Sequence, residues 1–337
     1  IRLLPMYTLS TFQCEFQDYC GGCGIYTIAN HKQINSRYGS EADFRALVQE
    51  IHNQNMKIML DIVFSHTPMD SNFTQNGWVV KDRYGRVTIS PWNTANINFN
   101  NPSAITYMKG VMKYWISSFN VDAFRIDAVH NTPLSFWTEA IYEIKSQYPN
   151  ILFMAETWED QYTLYSTKTL TETGFDMSYD YRLLKVLSEL AAATKTSQDV
   201  WQELERQKST YHHLTQAVHL LDSHDIQPSS PTVHPWNGPS ATRLGNSYLP
   251  ARVLISTIPG NILTYNGEEV SNKSTISHCE DKSKINWNSL PDHSEIFQAL
   301  HSLKSSNPAL SNLYNEAPLD LISNSNNVLV YQRTLSN

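Results

Sequence analysis

Polar side chains that could perform acid–base and nucleophilic chemistry lie at the ends of four apolar runs of the sequence. The runs are KIMLDIVF, VDAFRIDAVHN, ILFMAETW and AVHLLDSHD. In them or directly after them stand Asp61, Ser65, His66, Arg125, Asp127, Glu156, Asp222, His224 and Asp225. Any one of these could be a helix cap or a satisfied core residue, but together they supply a nucleophile, a proton donor and groups that orient them. The pattern therefore indicates one catalytic site.

Alternation of strands and helices predicts how these side chains are brought together. Short apolar runs are followed by polar turns and then by amphipathic stretches, which is βα alternation. The predicted strands are Arg2–Pro5, Lys57–Val63, Ala123–Ile126, Ile151–Ala155, Met177–Tyr179, Ala217–Leu221 and Asn261–Tyr265. The predicted helices are Glu41–Gln54, Ser103–Phe119, Ser135–Ser146, Tyr181–Ala193, Gln198–Lys208, Pro250–Ile258 and His293–Lys304. In parallel α/β barrels the functional groups lie at the C-terminal ends of the strands, which is where the polar residues of all four apolar runs are expected.

Length and charge favour one main domain and exclude some partners. The chain has 337 residues, and an α/β barrel needs about 250. A formal net charge of -7 without a Lys/Arg-rich run gives no surface for phosphate backbones, so no nucleic-acid partner is expected. No apolar stretch reaches the roughly 18 to 20 residues of a membrane span, so no membrane segment is expected in this chain.

The number and spacing of the cysteines indicate whether the protein is secreted or cytoplasmic. The four cysteines are Cys14, Cys20, Cys23 and Cys279. One disulfide within the cluster, with or without a second to Cys279, fits a secreted protein. Zinc is the alternative, although no second CxxC or HxxxH partner set is present. With the sequons at Asn72 and Asn272, this predicts a secreted or extracellular protein, and free thiols in a cytoplasmic enzyme remain the alternative.

The segments DIVFSH, AFRIDAVHN, FMAETW and LLDSHD resemble, in the same order, the four conserved regions of the α-amylase family, glycoside hydrolase family 13. Weaker similarities lie in IRLLPMY, YTIANHKQINSRYG, PGNILTYNGEE and LHSLKSSNPAL, so the resemblance extends from about Ile1 to Leu310. It implies a TIM (β/α)8 barrel that hydrolyses α-1,4-glucosidic bonds in starch, glycogen or maltooligosaccharides. The substrate partner would be an α-glucan oligo- or polysaccharide, cleaved with retention of configuration.

The resemblance also implies roles for the carboxylates. Asp127 would be the nucleophile and Glu156 the acid/base, with their carboxyl groups roughly 5 to 5.5 Å apart. Asp225 would bind the 2- and 3-hydroxyls of the sugar and favour ring distortion. The same resemblance implies that no cofactor is required for the chemistry.

Supporting residues are implied in the same way. Arg125 would hold Asp127 ionised through a charge-assisted hydrogen bond. The other substrate-binding positions are Tyr26 as a stacking ring, His66 and His224 as hydroxyl donors, and His130 beside the leaving group. Asp61 stands where the family has an orienting carboxylate, and plain strand-end hydrogen bonding is an equally good interpretation.

Four positions depart from the family pattern. Ser65 and Asn131 replace residues that often complete a structural calcium site, so Ca²⁺ is possible but doubtful and no metal ligand is assigned. His130 stands where many members have lysine, and Ser223 replaces an asparagine. These changes bear on substrate preference more than on bond cleavage.

The predicted organisation is a barrel formed by residues 1–67 and 102–316, a short inserted subdomain at 68–101 and the beginning of a C-terminal β-sandwich at 317–337. Trp78 and Trp92 of the insertion could line the cleft or form the core of the subdomain. The family's first barrel strand has no counterpart before Ile1, and an open barrel exposes strand edges. We therefore expect the sequence to be part of a longer chain.

Two other functions remain open on these residues. A glucanotransferase of the same family would pass the covalent intermediate to a sugar hydroxyl instead of water. A non-catalytic, transporter-associated relative is the second alternative, against which the complete set of Asp127, Glu156 and Asp225 argues.

Overall fold

The computed structural model describes residues 1–11, 24–90, 94–157, 170, 172–227, 236–276, 284–288, 291–311, 317–325 and 328–335. The chain divides into two compact units. The first comprises Ile1–Thr157 and Thr169–Asp176, and the second comprises Trp158–Lys168 and Met177–Asn337. All four cysteines and Trp92 lie outside the described residues, so the predicted disulfide pairing stays a prediction.

The first unit contains strands and helices in an order that follows the predicted βα alternation. Its strands are β1 (Arg2–Leu3), β2 (Tyr7–Leu9), β3 (Ile28–Ile34), β4 (Met59–Ile62), β5 (His66–Thr67), β6 (Ala95–Asn96), β7 (Ala123–Ile126) and β8 (Leu152–Ala155). Its helices are α1 (Glu41–Asn53), α2 (Asn72–Gln75), α3 (Pro102–Phe119) and α4 (Leu134–Gln147). Strands β1, β4, β7 and β8 pair in that order, and every pair is parallel.

Local sequence explains where the long helices of this unit begin. A capping box opens α1, because Ser40 Oγ accepts a hydrogen bond from Asp43 N while the Asp43 carboxylate accepts one from Ser40 N. Helix α3 starts with Pro102 after Asn101, whose side chain accepts from two backbone amides of the first turn. The buried face of α3 carries Trp115, whose indole N–H donates to the His31 carbonyl at 2.8 Å. Helix α3 is thereby fixed against β3.

Two antiparallel pairs of the first unit were not predicted. Strand β2 pairs with β3 across the intervening residues, and the register shifts twice along the pair. Strand β5 pairs with β6, and isolated bridges such as Val79 with Ile97 continue this pairing. The segment 68–101 therefore carries short β-structure and α2, whereas its sequence shows little periodicity. Trp78 packs against Phe73 and Tyr107, with ring centroids 6.1 and 5.4 Å away.

The second unit has its own parallel strands and helical layer. Its strands are β9 (Met177–Tyr179), β10 (Ala217–His219), β11 (Asn261–Ile262), β12 (Leu319–Ser325) and β13 (Val328–Arg333). Its helices are α5 (Tyr181–Ala191), α6 (Ser197–Thr210), α7 (Ser240–Leu244), α8 (Tyr248–Thr257) and α9 (Ser294–Ser306). Strand β10 lies between β9 and β11, in parallel with both, and β12 forms an antiparallel hairpin with β13.

The core of this unit lies between the helices and extends to the hairpin. Its buried members are Leu183, Leu187, Val200, Trp201, Leu204, Leu221, Leu244, Tyr248, Ala251, Ile255, Ile258, Phe297 and Leu319. Leu319 is the first residue of β12, and Tyr331 of β13 packs against the same cluster. The segment predicted to begin a C-terminal β-sandwich thus contains a hairpin, which packs on the core of the second unit; the sandwich itself stays a prediction.

The predicted helices and parallel strands agree with the observed ones to within about three residues at either end. Three strands were predicted too long at their C-terminal ends, because Leu4–Pro5, Leu220–Leu221 and Leu263–Tyr265 lie outside the β-ladder. None of the described helices has the length and apolar character that crossing a membrane requires.

The sequon asparagines of the two units differ in exposure. Asn72 opens α2 and is partly exposed, whereas Asn272 in the second unit is only 3% exposed. Its side-chain amide donates to the Ser274 carbonyl at 2.7 Å. Glycosylation needs an accessible side chain, so Asn272 is a poor acceptor in the folded chain.

Candidate active site

The parallel register of β4 and β7 brings Asp61 opposite Arg125. Arg125 Nη1 donates to Asp61 Oδ1 at 2.8 Å and to Asp127 Oδ1 at 2.8 Å. Asp127 follows β7 directly, and its amide donates to the Ile62 carbonyl at 2.9 Å. One guanidinium nitrogen therefore holds a carboxylate from the neighbouring strand and a carboxylate from the end of its own.

Glu156 follows β8 as Asp127 follows β7, because Ile126 pairs with Ala155. Arg125 Nη2 lies 2.7 Å from Glu156 Oε1, in an ion pair that lacks the orientation of a hydrogen bond. Opposite charges this close attract each other in any orientation. Asp127 and Glu156 thus share one buried guanidinium.

Ala128 adds a backbone link between the two carboxylates. Its amide donates to Glu156 Oε2 at 2.7 Å, and the following amide of Val129 donates to the Glu156 carbonyl at 3.2 Å. Ala128 has a φ of 42°, a left-handed conformation that costs an L-residue free energy. The two hydrogen bonds to Glu156 accompany this conformation.

Burial sets the charge balance of this cluster. The side chains of Asp61 and Arg125 are 0% exposed, and that of Glu156 is 8% exposed. Burial raises the pKa of Asp61 above its usual value, and Arg125 beside it acts in the opposite direction. Because paired charges are far cheaper to bury than isolated ones, the arginine is what permits several carboxylates in this space.

Tyr26 lies beside the same cluster. Its hydroxyl donates to Asp61 Oδ2 at 3.3 Å, and the Arg125 guanidinium carbon lies 6.0 Å from the centre of its ring. The side chain is partly exposed. The predicted stacking residue therefore lies beside Asp61 and Arg125, and Arg125 in turn contacts the predicted nucleophile.

Two histidines of the first unit border the cluster and are held neutral by burial. Burial lowers the pKa of His66 to about 4, although a hydrogen bond to the Tyr26 backbone raises it. Burial also lowers the pKa of His130, and nearby Glu156 opposes that shift. Ser65 Oγ lies 2.8 Å from His66 Nδ1. A neutral imidazole can donate one hydrogen bond and accept another.

The residues at the family's calcium position do not fit a calcium ion. Calcium takes 6–8 oxygen ligands, mostly carboxylates and carbonyls, whereas the Ser65 hydroxyl is engaged with His66. Within the described ranges we find no group of three or more His, Cys, Asp or Glu side chains placed to bind one metal ion. Calcium dependence itself stays a prediction.

Asp225 and His224 lie in the second unit, after β10. His224 Nε2 is 3.2 Å from Asp225 Oδ2, and the Asp225 side chain is 29% exposed whereas that of His224 is 1% exposed. Ser223 Oγ accepts from the Asp225 amide at 3.2 Å. The predicted third carboxylate is thus accessible and oriented by its own loop.

Asp222 fixes the loop that carries His224 and Asp225 through hydrogen bonds. It accepts hydrogen bonds from Gln227 Nε2 at 2.8 Å and from the Ser240 amide at 3.0 Å. Burial raises the pKa of Asp222 to about 6 and that of nearby Glu268 to about 8, against the opposing charges of Arg243 and Arg252. Sequence patterns did not predict that Glu268 is buried, although it lies in the segment PGNILTYNGEE.

The chain matches the model of a known family over most of its length. The alpha-amylase catalytic-domain model matches residues 6–77 and 67–312. The chain belongs to the alpha-amylase family. Both the cluster around Arg125 and the loop of Asp225 fall inside the matched ranges.

Members of the alpha-amylase family with curated descriptions resemble the chain over much of its length. Alpha-amylase 2 of Dictyoglomus thermophilum is 24% identical over 310 residues, covering 85% of this chain and 52% of that protein. A protein described as alpha-1,4-glucan:maltose-1-phosphate maltosyltransferase, from Picrophilus torridus, is 29% identical over 162 residues, covering 45% of this chain and 25% of that protein. The chain therefore spans about half the length of the first of these relatives.

A solved alpha-amylase structure shares the fold. The alpha-amylase from Lactobacillus plantarum superimposes with a TM-score of 0.83 at 24% identity, covering 99% of this chain and 78% of that chain. The likeness confirms the predicted fold class, the TIM barrel of the alpha-amylase family.

The site of this alpha-amylase family member agrees with the sequence prediction in part. The first unit brings together Asp61, Tyr26, Arg125, Asp127 and Glu156, with His66 and His130 at the border. His224 and Asp225 form a second group in the other unit. The pairing of Ser65 with His66 and the amide of Ala128 were not predicted. Neither has a sequence signal, since one depends on a rotamer and the other on the backbone.

Proposed function

We propose that the protein is a retaining glycoside hydrolase that cleaves α-1,4-glucosidic bonds in starch, glycogen or maltooligosaccharides through a covalent glycosyl-enzyme intermediate. The observation that carries this proposal is the shared position of Asp127 and Glu156. They follow paired parallel strands at the same level, and Arg125 contacts both carboxylates at 2.8 and 2.7 Å. Membership of the alpha-amylase family supports the substrate class.

The spacing of neighbouring strands suits retention of configuration. Adjacent strands lie about 4.8 Å apart, and retaining enzymes hold their carboxyl groups about 5 to 5.5 Å apart, whereas inverting enzymes need a wider gap for water. Asp127 and Glu156 project from the next position beyond the paired Ile126 and Ala155. Their placement therefore favours direct attack by one carboxylate over activation of a water.

The proposed reaction has two steps. Asp127 attacks the anomeric carbon while Glu156 donates a proton to the departing glycosidic oxygen, which leaves a glycosyl ester on Asp127 and Glu156 ionised. Glu156 then removes a proton from water, whose oxygen attacks the anomeric carbon and releases Asp127. Arg125 would stabilise the ionised Asp127 before attack and after release.

Sugar binding is assigned to five further residues. Tyr26 would stack on a pyranose face, because the C–H faces of a sugar are apolar. His130 and His224 would bind hydroxyl groups, and His66 would line the sugar site beside Tyr26. Asp225 would bind the 2- and 3-hydroxyls, and its partial exposure, 29% of the side chain, leaves it accessible to a ligand.

The proposal extends to the arrangement of the chain. Residues 68–101 would form the short subdomain inserted after the third barrel strand, which is consistent with the β5–β6 pairing. The β12–β13 hairpin would begin the C-terminal β-domain. The chemistry is proposed to need no cofactor, because two carboxylates suffice for it.

Two substitutions test the catalytic pair on soluble starch and maltoheptaose. Asp127→Asn and Glu156→Gln should each lower kcat by about 10²- to 10⁴-fold, whereas the surface carboxylate variant Glu139→Gln should leave kcat unchanged. A 5-fluoro glucosyl fluoride should label Asp127, seen as a mass increase on its peptide. Near wild-type turnover by Asp127→Asn in a correctly folded protein would contradict the proposal.

A glucanotransferase is the second candidate, because a relative of similar identity is described as a maltosyltransferase. Transfer and hydrolysis share the first step and differ in the acceptor. Chromatography of products from maltotriose separates them. Chains longer than maltotriose as the main early product would establish transfer, and maltose with glucose would establish hydrolysis.

A further inference from the structure

Ser65 and His66 form a buried pair beside the proposed sugar-binding ring. Ser65 Oγ lies 2.8 Å from His66 Nδ1. Ser65 is 5% exposed and His66 is 7% exposed. Because bulk water has little access to this contact, whichever proton arrangement the two groups adopt is fixed by the protein around them.

The Tyr26 backbone decides that arrangement. His66 makes a hydrogen bond with it that favours the protonated ring, so the ring donates and the Tyr26 carbonyl accepts. A neutral imidazole has a single N–H. With the serine at Nδ1, the proton that faces the carbonyl belongs on Nε2, and the serine hydroxyl must then donate to Nδ1.

Contacts continue from Tyr26 to the proposed nucleophile. The Tyr26 hydroxyl donates to Asp61 at 3.3 Å, Asp61 accepts from Arg125 at 2.8 Å, and the same arginine nitrogen donates to Asp127. A hydrogen-bonded series therefore runs from a residue outside the carboxylate cluster to the carboxylate expected to attack the sugar.

We propose that Ser65 is a positioning residue: its hydroxyl holds His66 as the Nε2–H tautomer, and His66 in turn fixes the Tyr26 backbone and the ring that meets the sugar. The tautomer assignment stands on the contacts of His66 with Ser65 and with the Tyr26 backbone, and it does not depend on the proposed function. Its effect on sugar binding rests on the proposed function. Ser65 itself touches no substrate in this scheme.

Paired variants separate the hydroxyl from the volume of the side chain. Ser65→Thr keeps the hydroxyl, and Ser65→Val has nearly the shape of threonine without it. Because the Tyr26 ring would bind ground state and transition state alike, loss of the hydroxyl should raise KM more than it lowers kcat. We expect KM for maltoheptaose to rise about 5- to 30-fold in Ser65→Val and to recover toward wild type in Ser65→Thr. Equal KM and kcat values in the two variants would overturn the positioning role.

Nitrogen-15 NMR of the imidazoles tests the tautomer without any activity. The His66 signals are identified by their loss in His66→Gln. The wild-type protein and Ser65→Thr should show a protonated Nε2 and a bare Nδ1, and Ser65→Val should lose this preference. A protonated Nδ1 in the wild type would refute the proposal even in an active enzyme. If no glucan is cleaved, the proposed function fails, and the spectrum still decides the tautomer.

Discussion

Arg125 Nη1 lies 2.8 Å from Asp127 Oδ1, and the same guanidinium reaches Asp61 and Glu156. Arg125→Lys should therefore be a severe change, because one ammonium group cannot satisfy three carboxylates in a fully buried position. We expect a loss of about 3–5 kcal/mol in the free energy of unfolding and a fall in kcat/KM of at least about 10²-fold. Urea unfolding and steady-state kinetics measure the two effects.

Arg86→Lys is the matched control for that substitution. Arg86 pairs with Asp82 at 2.8 Å, with its side chain 73% exposed and that of Asp82 29% exposed. Solvent screens such a pair, so both measurements should stay close to wild type. Similar losses in the two variants would show that Arg125 has no special role.

Tyr26 should contribute mainly through its ring. Tyr26→Phe keeps the ring and removes only the 3.3 Å hydrogen bond to Asp61, so KM should change by no more than about threefold. Tyr26→Ala removes the stacking surface and should raise KM about tenfold or more. The two KM values for maltoheptaose are compared. A larger effect of the phenylalanine variant would assign the role to the hydroxyl.

Gly260 should be intolerant of any side chain. Its φ is +123°, and a Cβ at this position would lie 2.4 Å from His219 Nε2 and 3.0 Å from the Ala217 carbonyl. His219 cannot yield easily, because its ring nitrogens lie 2.8 Å from Asp180 Oδ2 and 2.7 Å from the Pro259 carbonyl. Gly260→Ala should cost about 2–4 kcal/mol of stability, measured by thermal unfolding.

Gly85→Ala separates backbone strain from crowding in that experiment. Gly85 has a φ of +78°, and a Cβ there would meet no other part of the described chain within 4 Å beyond its immediate neighbours in sequence. Only the conformational cost of about 1 kcal/mol applies there. If both variants lose the same stability, the close approach to His219 contributes nothing to the destabilisation of Gly260→Ala.

Glu268 should make the stability of the fold fall as the pH rises. Burial raises its pKa to about 8, whereas the unfolded chain titrates near 4.3. The stabilising contribution of protonated Glu268 is complete below the unfolded pKa and is lost as the pH rises through the folded pKa. The free energy of unfolding, measured in urea at pH 6.5 and 8, should therefore decline with pH less in Glu268→Gln than in wild type. The difference in slope should be at most about 1.4 kcal/mol per pH unit.

Asp43→Asn provides a control of opposite sign. Hydrogen bonds from Ser40 lower the pKa of Asp43, so its contribution is present above the unfolded pKa and is lost only as the pH falls through the folded pKa. This variant should shift the unfolding curves equally at pH 6.5 and 8. An unchanged decline in Glu268→Gln would mean that Glu268 is ionised in the folded protein.

The regular elements were predictable because their signals are local. Met177–Tyr179 was predicted with the observed bounds, and the helices follow apolar periodicity with capping residues at their starts. Strand β2 was missed because its pairing with Ile28–Ile34 is long-range and irregular in register.

The candidate site was predictable in its residues and not in its contacts. Polar strand ends identified Asp127 and Glu156, yet the ion pair of Arg125 with Glu156 depends on the register of β7 with β8. Asp61 had two equally good interpretations, and its contact with Arg125 favours the orienting role. The Ser65 contact with His66 depends on side-chain rotamers, which sequence patterns do not specify.

The link between Asp127 and Glu156 through the Ala128 amide has a practical consequence for mutagenesis. The donor belongs to the main chain, so every substitution at this position except proline preserves it. Alanine scanning passes over the residue altogether, since it is already alanine. Replacement of that single peptide bond by an ester removes the donor and keeps every side chain, and is thus the way to expose its contribution.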